Sequence, residues 1–151
     1  MVKKFLFSTN PTWATLPLRI AMGLIFMAHG GQKLFGWFGG YGLSATAGFF
    51  AQQLGMTPGM LWAVLAGCGE FFGGLLLFLG FLTRLGGLNI AIVMLVAIFK
   101  AHWPAFFAPA GIEYPLVNLA AALALLMAGG GKLSIDAAIC AKPGQTSSIQ
   151  P

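Results

Sequence analysis

Charged side chains are scarce in this chain. Asp, Glu, Lys and Arg together account for 7% of its 151 residues, whereas they make up about a quarter of a typical soluble domain. Hydrophobic residues account for 58%, and the mean hydropathy is +0.87. This composition excludes an ordinary soluble enzyme and predicts an all-α integral membrane protein.

Cysteine and cofactor-binding motifs are lacking as well. The two cysteines, Cys68 and Cys140, do not form a C-x-x-C pair. Their placement excludes a disulfide framework and argues against a thiol–disulfide oxidoreductase of the four-helix membrane type. The glycines lie in hydrophobic stretches rather than in a Gly-rich strand–turn–helix motif. The sequence therefore predicts no intrinsic flavin, haem or nicotinamide site, and any electron transfer needs a borrowed cofactor or a partner.

Four hydrophobic segments are each close to the roughly 17 to 25 residues that a membrane helix needs. They cover residues 13–35, 60–82, 85–103 and 112–128, the last being the shortest. They predict a four-transmembrane-helix bundle. The corresponding domain division is a cytoplasmic N-terminus (1–11), a membrane domain (12–136) and a flexible cytoplasmic tail (137–151).

The basic residues predict the orientation of this bundle. They are dispersed and form no stripe with interleaved aromatic residues, so a nucleic-acid partner is not expected. Most lie before the first segment, between the second and third, or after the fourth: Lys3, Lys4, Arg84, Lys132 and Lys142. The positive-inside rule places these positions, and hence both termini, on the cytoplasmic side of a bacterial inner membrane.

The two outer connections are unusually apolar. In the first, Leu43, Ala47, Phe50 and Leu54 recur at helical spacing, which predicts a short interfacial helix with Ser44 as its N-cap. The second, residues 102–109, is rich in aromatic side chains. We expect it to line the membrane interface or to fold back as a lid, and an aromatic belt explains it equally well.

Glu70 lies in the middle of the second hydrophobic segment. An acidic side chain at that depth costs roughly 2.5 to 3.5 kcal/mol, so it must face protein, water or a partner rather than lipid. Small residues one turn away on either side let another helix approach it: Ala66, Gly67, Gly73 and Gly74. Two interpretations stay open, a structural hydrogen-bond anchor between helices and a protonatable or ligand-binding group.

Other polar residues fall in the same half of the membrane as Glu70. His29 and Lys33 share one helix face, whereas Lys100 and His102 are about 200° apart on a regular helix and cannot both point to one place. One polar pocket is the simplest explanation for the set, which comprises His29, Gln32, Lys33, Glu70, Lys100, His102, Glu113 and Tyr114. The predicted wall of this pocket is aromatic: Trp37, Tyr41, Trp103 and Phe106.

Each residue type suggests a role and a simpler alternative. Glu70 and His29 are the candidate catalytic pair, which would exchange protons with a ligand or hydrogen-bond to it, and Lys33 or Lys100 would stabilise a developing oxyanion. Alternatively, the lysines snorkel to headgroups and Glu113 caps the fourth helix. Arg19 is harder to dismiss because it lies inside the first segment, yet it can snorkel toward the cytoplasm. No metal site is predicted, because the spacing matches no metal motif and the lysines would repel a cation.

Several motifs together resemble the DoxX family of small bacterial membrane proteins. They occur in order at the expected segments, from about residue 16 to residue 136: Leu18-Arg19, His29 to Gly36, Gly69 to Gly74, Leu79 to Arg84 and Gly111 to Pro115. The resemblance implies a four-helix membrane bundle. It also implies an association with redox chemistry, since relatives are linked to thiosulfate:quinone oxidoreductase subunits, to oxidative-stress complexes and to quinone or catechol detoxification.

The resulting prediction is a redox-associated inner-membrane protein that binds a small quinone-like or phenolic molecule in an outer-leaflet pocket. Two alternatives stay open: a noncatalytic subunit of a membrane oxidoreductase complex, and a proton-coupled small-solute transporter, which would also use a mid-membrane carboxylate. The expected partners are the lipid bilayer, redox enzyme subunits and a second copy of the chain.

Overall fold

Helices account for all the regular structure between residues 6 and 140, the range that the computed structural model describes. Six helices have both ends within that range: α1 (Thr15–Phe35), α2 (Gly42–Gln52), α3 (Gly59–Leu79), α4 (Thr83–Ala97), α5 (Glu113–Ala128) and α6 (Ile135–Cys140). The all-helical architecture is confirmed. Most of the predicted flexible tail, residues 141–151, lies outside the described residues, while residues 137–140 belong to α6.

Four of these helices form a bundle. α1 packs along α3, α4 packs between α3 and α5, and α5 also contacts α1. The shared core is apolar and consists of Met22, Phe26, Leu77, Ile90, Ala91, Met94, Ala122 and Leu125. Two segments are long and apolar enough to cross a membrane, Gly59–Leu79 and Thr83–His102. Large apolar side chains such as Phe72 and Ile92 are exposed on their outer surfaces, as expected where helices contact lipid rather than water.

Glycine allows α1 and α3 to pack backbone to backbone. A Cβ atom added to Gly30 would lie 2.4 Å from the backbone nitrogen of Phe71, and one added to Gly74 would lie 2.7 Å from that of Met27. Any side chain at either position would therefore push the helices apart. The small-residue face predicted around Glu70 is confirmed, and it brings the last two turns of α1 next to that residue.

The predicted interfacial helix is α2, which packs on α3 and α1. Its N-cap residue is Tyr41, and no side chain caps it, so the prediction of Ser44 as the cap is wrong. The helix begins earlier because Gly42, with φ of 72°, turns the chain in a conformation that glycine adopts without strain. Ser44 consequently lies inside the first turn.

The two ends of the bundle differ in their buried polar groups. At one end, here called the arginine end, Arg19 is 2% exposed, and its guanidinium donates to the carbonyl oxygens of Phe78, at 2.8 Å, and Leu133. Arg19 does not snorkel, because the carbonyl groups of Phe78, at the C-terminal end of α3, and of Leu133, between α5 and α6, bind the guanidinium inside the protein. The buried carboxylate of Asp136 accepts hydrogen bonds from the backbone N–H groups of Leu82 and Thr83 and so caps α4.

Candidate functional site

The bundle contains a cavity of about 400 Å³ at its other end, here called the lysine end, where Lys33 and Lys100 lie. This volume is within the range of small-molecule sites, roughly 300 to 1,000 Å³. The cavity lies between α1, α2, α3 and α4, beside the first turn of α5. Its walls are mostly apolar, and its polar lining consists of His29, Lys33, Glu70, Asn89, Lys100, His102 and Tyr114.

Lys33 and Glu70 form an ion pair in the wall of this cavity. The Nζ atom of Lys33 lies 2.5 Å from Oε2 of Glu70, and the two side chains are 25% and 7% exposed. A buried carboxylate needs such a partner, because an unpaired charge in an apolar interior is strongly destabilising. The second carboxylate oxygen, Oε1, has no hydrogen-bond partner within residues 6–140. It is therefore left to accept a hydrogen bond from a molecule in the cavity.

The sequence did not identify Lys33 as the partner of Glu70. Side chains on a helix lean toward its N-terminus, so Lys33, near the C-terminal end of α1, extends back toward the middle of the bundle. His29 lies one turn earlier and lines the same cavity, with its ring centroid 6.4 Å from that of Tyr114. The described residues include no hydrogen bond between His29 and Glu70, and the carboxylate pairs with Lys33 instead. A joint action of His29 and Glu70 on a ligand stays a prediction.

Asn89 is a cavity residue that sequence reasoning missed. Its side-chain amide donates to the backbone carbonyl of Gly69 at 2.5 Å and thereby joins α4 to α3 beside Glu70. A signal for it was present, because Asn89 is the only polar residue between Arg84 and Lys100. A lone amide in an apolar segment typically hydrogen-bonds to a neighbouring helix.

Lys100 and His102 both line the cavity, so the prediction that they cannot point to one place is wrong. Both belong to a π-turn, Ile98–His102, and the cavity, at about 400 Å³, is large enough for side chains on different sides of that turn to line it. His102 is also fixed at the end of this turn, where Nδ1 donates to the carbonyl oxygen of Ala110 at 2.9 Å.

Six predicted site residues do not line this cavity. Trp37 packs on Phe35 and Phe71, with ring centroids 5.0 and 5.7 Å apart. Gln32 lies against Gly40, and Glu113 accepts a hydrogen bond from the backbone of Ala108. The remaining three are exposed aromatic residues: Tyr41, Trp103 and Phe106. Contact of these six residues with a ligand stays a prediction.

Residues of the helices and of the α2–α3 connection provide the actual cavity wall. Aromatic and aliphatic side chains line it from α2, from that connection, from the start of α3 and from α4: Phe50, Leu54, Met56, Trp62, Leu65, Ile92, Val93, Met94, Val96 and Ala97. Their sequence signal was weak, because apolar residues in apolar segments are indistinguishable from lipid-facing ones until the helix orientations are known.

An exposed apolar exterior, glycine-mediated helix contacts and a buried ion pair together define a helical membrane protein. Residues 14–103 match the DoxX family, and the chain belongs to that family, as its motifs predict. It is also similar to a protein of Bacillus subtilis (strain 168) named "Putative oxidoreductase CatD", with 30% identity over 122 residues, which cover 81% of this chain and 84% of that protein. No solved structure matches the chain.

Proposed function

We propose that this protein is a four-span inner-membrane protein that binds a small quinone-like or phenolic molecule in the cavity at the lysine end. The proposed spans are α1, α3, α4 with its π-turn, and α5. The single observation that carries the proposal is the Lys33–Glu70 ion pair in the cavity wall, in which the second carboxylate oxygen has no hydrogen-bond partner among the described residues.

The orientation follows from the basic residues. Arg84 and Lys132 lie at the arginine end, where the ammonium of Lys132 lies over the ring of Trp13, 5.5 Å from its centroid. A tryptophan beside a lysine is typical of a membrane interface. The positive-inside rule makes this end cytoplasmic, so the cavity faces the outer half of the membrane.

The chemistry of the cavity suits a flat ring that carries oxygen substituents. A phenolic or hydroquinone hydroxyl would donate to Oε1 of Glu70, while a quinone carbonyl would accept from the ammonium of Lys100 or from His29. Apolar side chains such as Phe50 and Trp62 would contact the ring. Because the cavity is largely apolar, each of these hydrogen bonds would be stronger than the same bond in water.

A role linked to redox chemistry is supported by the family and by the name of the Bacillus relative. In this role the chain's own residues bind and orient the ring. Oxidation of a bound hydroquinone to the quinone releases two electrons and two protons. Glu70 accepts one proton, and His29, which lines the same cavity, accepts the other. The two electrons pass to a partner oxidoreductase subunit or to a borrowed cofactor. Glu70 and His29 return the two protons when a quinone is reduced.

Ligand binding in lipid nanodiscs tests this proposal. The probe is a dimethoxy-methyl-benzoquinone in its reduced form, and its affinity is measured by isothermal titration. We expect Glu70→Gln to weaken binding by about tenfold to a hundredfold, because a hydrogen bond to a charged group contributes roughly 1.5 to 3 kcal/mol.

Glu113→Gln is the matched control. Glu113 is the first residue of α5, where its carboxylate accepts a hydrogen bond from the backbone of Ala108, and it does not line the cavity. We expect it to bind like the wild type. Absence of binding by wild-type protein, or equal affinity of the Glu70→Gln variant, would refute the proposed site.

A further inference from the structure

A second depression adjoins the cavity on the outer surface of the bundle. It is a groove of about 450 Å³ between the α2–α3 connection and the end of α4. Four residues line both the cavity and the groove: Met56, Trp62, Val96 and Lys100. These four side chains form a wall that the two spaces share.

The groove lies on the surface where α3 and α4 separate. The two helices are in contact where Gly73 and Gly86 lie, and the Asn89 hydrogen bond to Gly69 is the last polar link between them before the cavity. Beyond this link, toward the lysine end, residues of both helices line the cavity, among them Leu65 and Val93. Trp62 and Val96, on the two sides of the groove, are both partly exposed to the surroundings.

We propose that the ligand is an amphiphile whose polar ring lies beside Glu70 and whose apolar tail leaves the cavity between Trp62 and Val96, along the groove and into the lipid. This inference rests on the proposed function and specifies its ligand class. It also implies that the ligand reaches the site laterally from the membrane rather than from water.

The dimensions support this arrangement. Trp62 precedes Glu70 by eight residues on α3, which corresponds to about 12 Å along the helix axis. That distance accommodates a substituted ring and the first part of a tail. A volume of about 400 Å³ leaves little space for a long tail to fold back beside the ring, so a tailed ligand needs the groove.

The apolar lining of the groove also favours binding of an apolar ligand tail there. Its lining is apolar apart from Thr57 and Lys100, and it includes Leu95 and Phe99 on the lipid-facing side of α4. Lys100 is the one charged residue where the groove meets the cavity. Its ammonium would lie near the boundary between the ring and the tail.

Blocking the groove without touching the cavity tests the inference. Leu95 lines the groove but not the cavity, and a larger side chain there would fill the groove. The matched control is Leu88, which lies two turns earlier on the same helix, is 43% exposed against 44% for Leu95, and lines neither space. The variants are Leu95→Trp and Leu88→Trp in nanodiscs of one lipid composition.

The probes are two benzoquinols with the same dimethoxy-methyl ring, one with a decyl chain and one without. We expect Leu95→Trp to weaken binding of the tailed probe by about tenfold or more and to change binding of the tailless probe by less than about twofold. Leu88→Trp should change neither affinity. Leu95→Ala, which widens the groove, should keep wild-type affinity for the tailed probe.

Two outcomes would overturn the inference, and they are distinguishable. If both probes bind wild-type protein and Leu95→Trp leaves the tailed probe unaffected, the groove does not hold the tail, as expected if a phospholipid chain occupies it instead, and the proposed function survives. If neither probe binds wild-type protein, the proposed function fails and this inference fails with it.

Discussion

The buried carboxylate of Glu70 is acceptable only because an ammonium compensates for its charge. Lys33 supplies that charge at 2.5 Å from a position on the neighbouring helix. An ion pair of this kind contributes little net stability when intact, since desolvation offsets the attraction, but removing one partner leaves an uncompensated charge. The pair is therefore better suited to holding a carboxylate in the cavity than to stabilising the fold.

This asymmetry predicts the effect of removing the lysine. Lys33→Met should lower the free energy of unfolding by about 3 kcal/mol, the lower part of the range for a broken buried pair, because Lys33 is partly exposed. The double variant Lys33→Met/Glu70→Gln should recover most of that loss. Denaturant unfolding in mild detergent measures both values.

Lys100→Met provides the control for this experiment. Lys100 lines the same cavity but is exposed, so its replacement should change stability by less than about 0.5 kcal/mol. An equal effect of Lys33→Met and Lys100→Met would show that the Glu70 carboxylate does not depend on its ion pair.

At the scale of single residues, the sequence predicts which side chains are energetically costly at their positions, but not which of them are in contact. Glu70 could be identified because its position in an apolar segment makes it energetically costly. The choice of Lys33 over His29 could not be made, since both lie on one face of α1. That choice depends on the direction of the side chains and on how closely α1 approaches α3.

At the scale of the elements, the approach of α1 to α3 brings the ion pair together. Gly30 of α1 lies against the backbone of Phe71 in α3, the residue that follows Glu70. We expect Gly30→Ala to lower the free energy of unfolding by about 1 to 3 kcal/mol, because the added methyl group must displace backbone atoms. Binding of the quinol probe should weaken as well, since Lys33 and Glu70 move apart.

Gly48→Ala is the corresponding control in α2, because a Cβ atom at Gly48 would have no heavy atom within 4 Å. There the substitution should stabilise the protein by up to about 1 kcal/mol, because alanine lowers the conformational entropy of the unfolded chain relative to glycine. A loss of stability in Gly48→Ala equal to that in Gly30→Ala would contradict this prediction, because it would show that the loss does not come from the close contact between α1 and α3.

The long helices were predictable from the sequence to within three residues at most of their ends. The segment predicted at residues 60–82 is the helix Gly59–Leu79 in the structure, and the segment predicted at residues 112–128 is the helix Glu113–Ala128. Long apolar runs carry a strong signal. The π-turn at Ile98–His102 and the short helix Ile135–Cys140 were not predicted, because the first depends on how α4 ends above the cavity and the second on the burial of Asp136 against α4.

At the scale of the whole molecule, the two ends differ in their basic residues. Lys33 is neutralised by Glu70 and Arg19 is buried. The lysine end therefore presents Lys100, whereas the arginine end presents Arg84 and Lys132, with Lys142 following in the sequence. The pairing of Lys33 strengthens the charge difference on which the positive-inside rule depends.

This difference predicts the topology, which reporter fusions can measure. Fusions after Lys142 and in the turn between Thr83 and Arg84 should report the cytoplasm, whereas fusions near Gly40 and Pro109 should report the outside. Because Lys33 is paired, Lys33→Met should leave this orientation unchanged, while adding lysines beside Pro109 should weaken it. An external C-terminus would place the cavity in the cytoplasmic half of the membrane, and a ligand would then reach it from the inner leaflet.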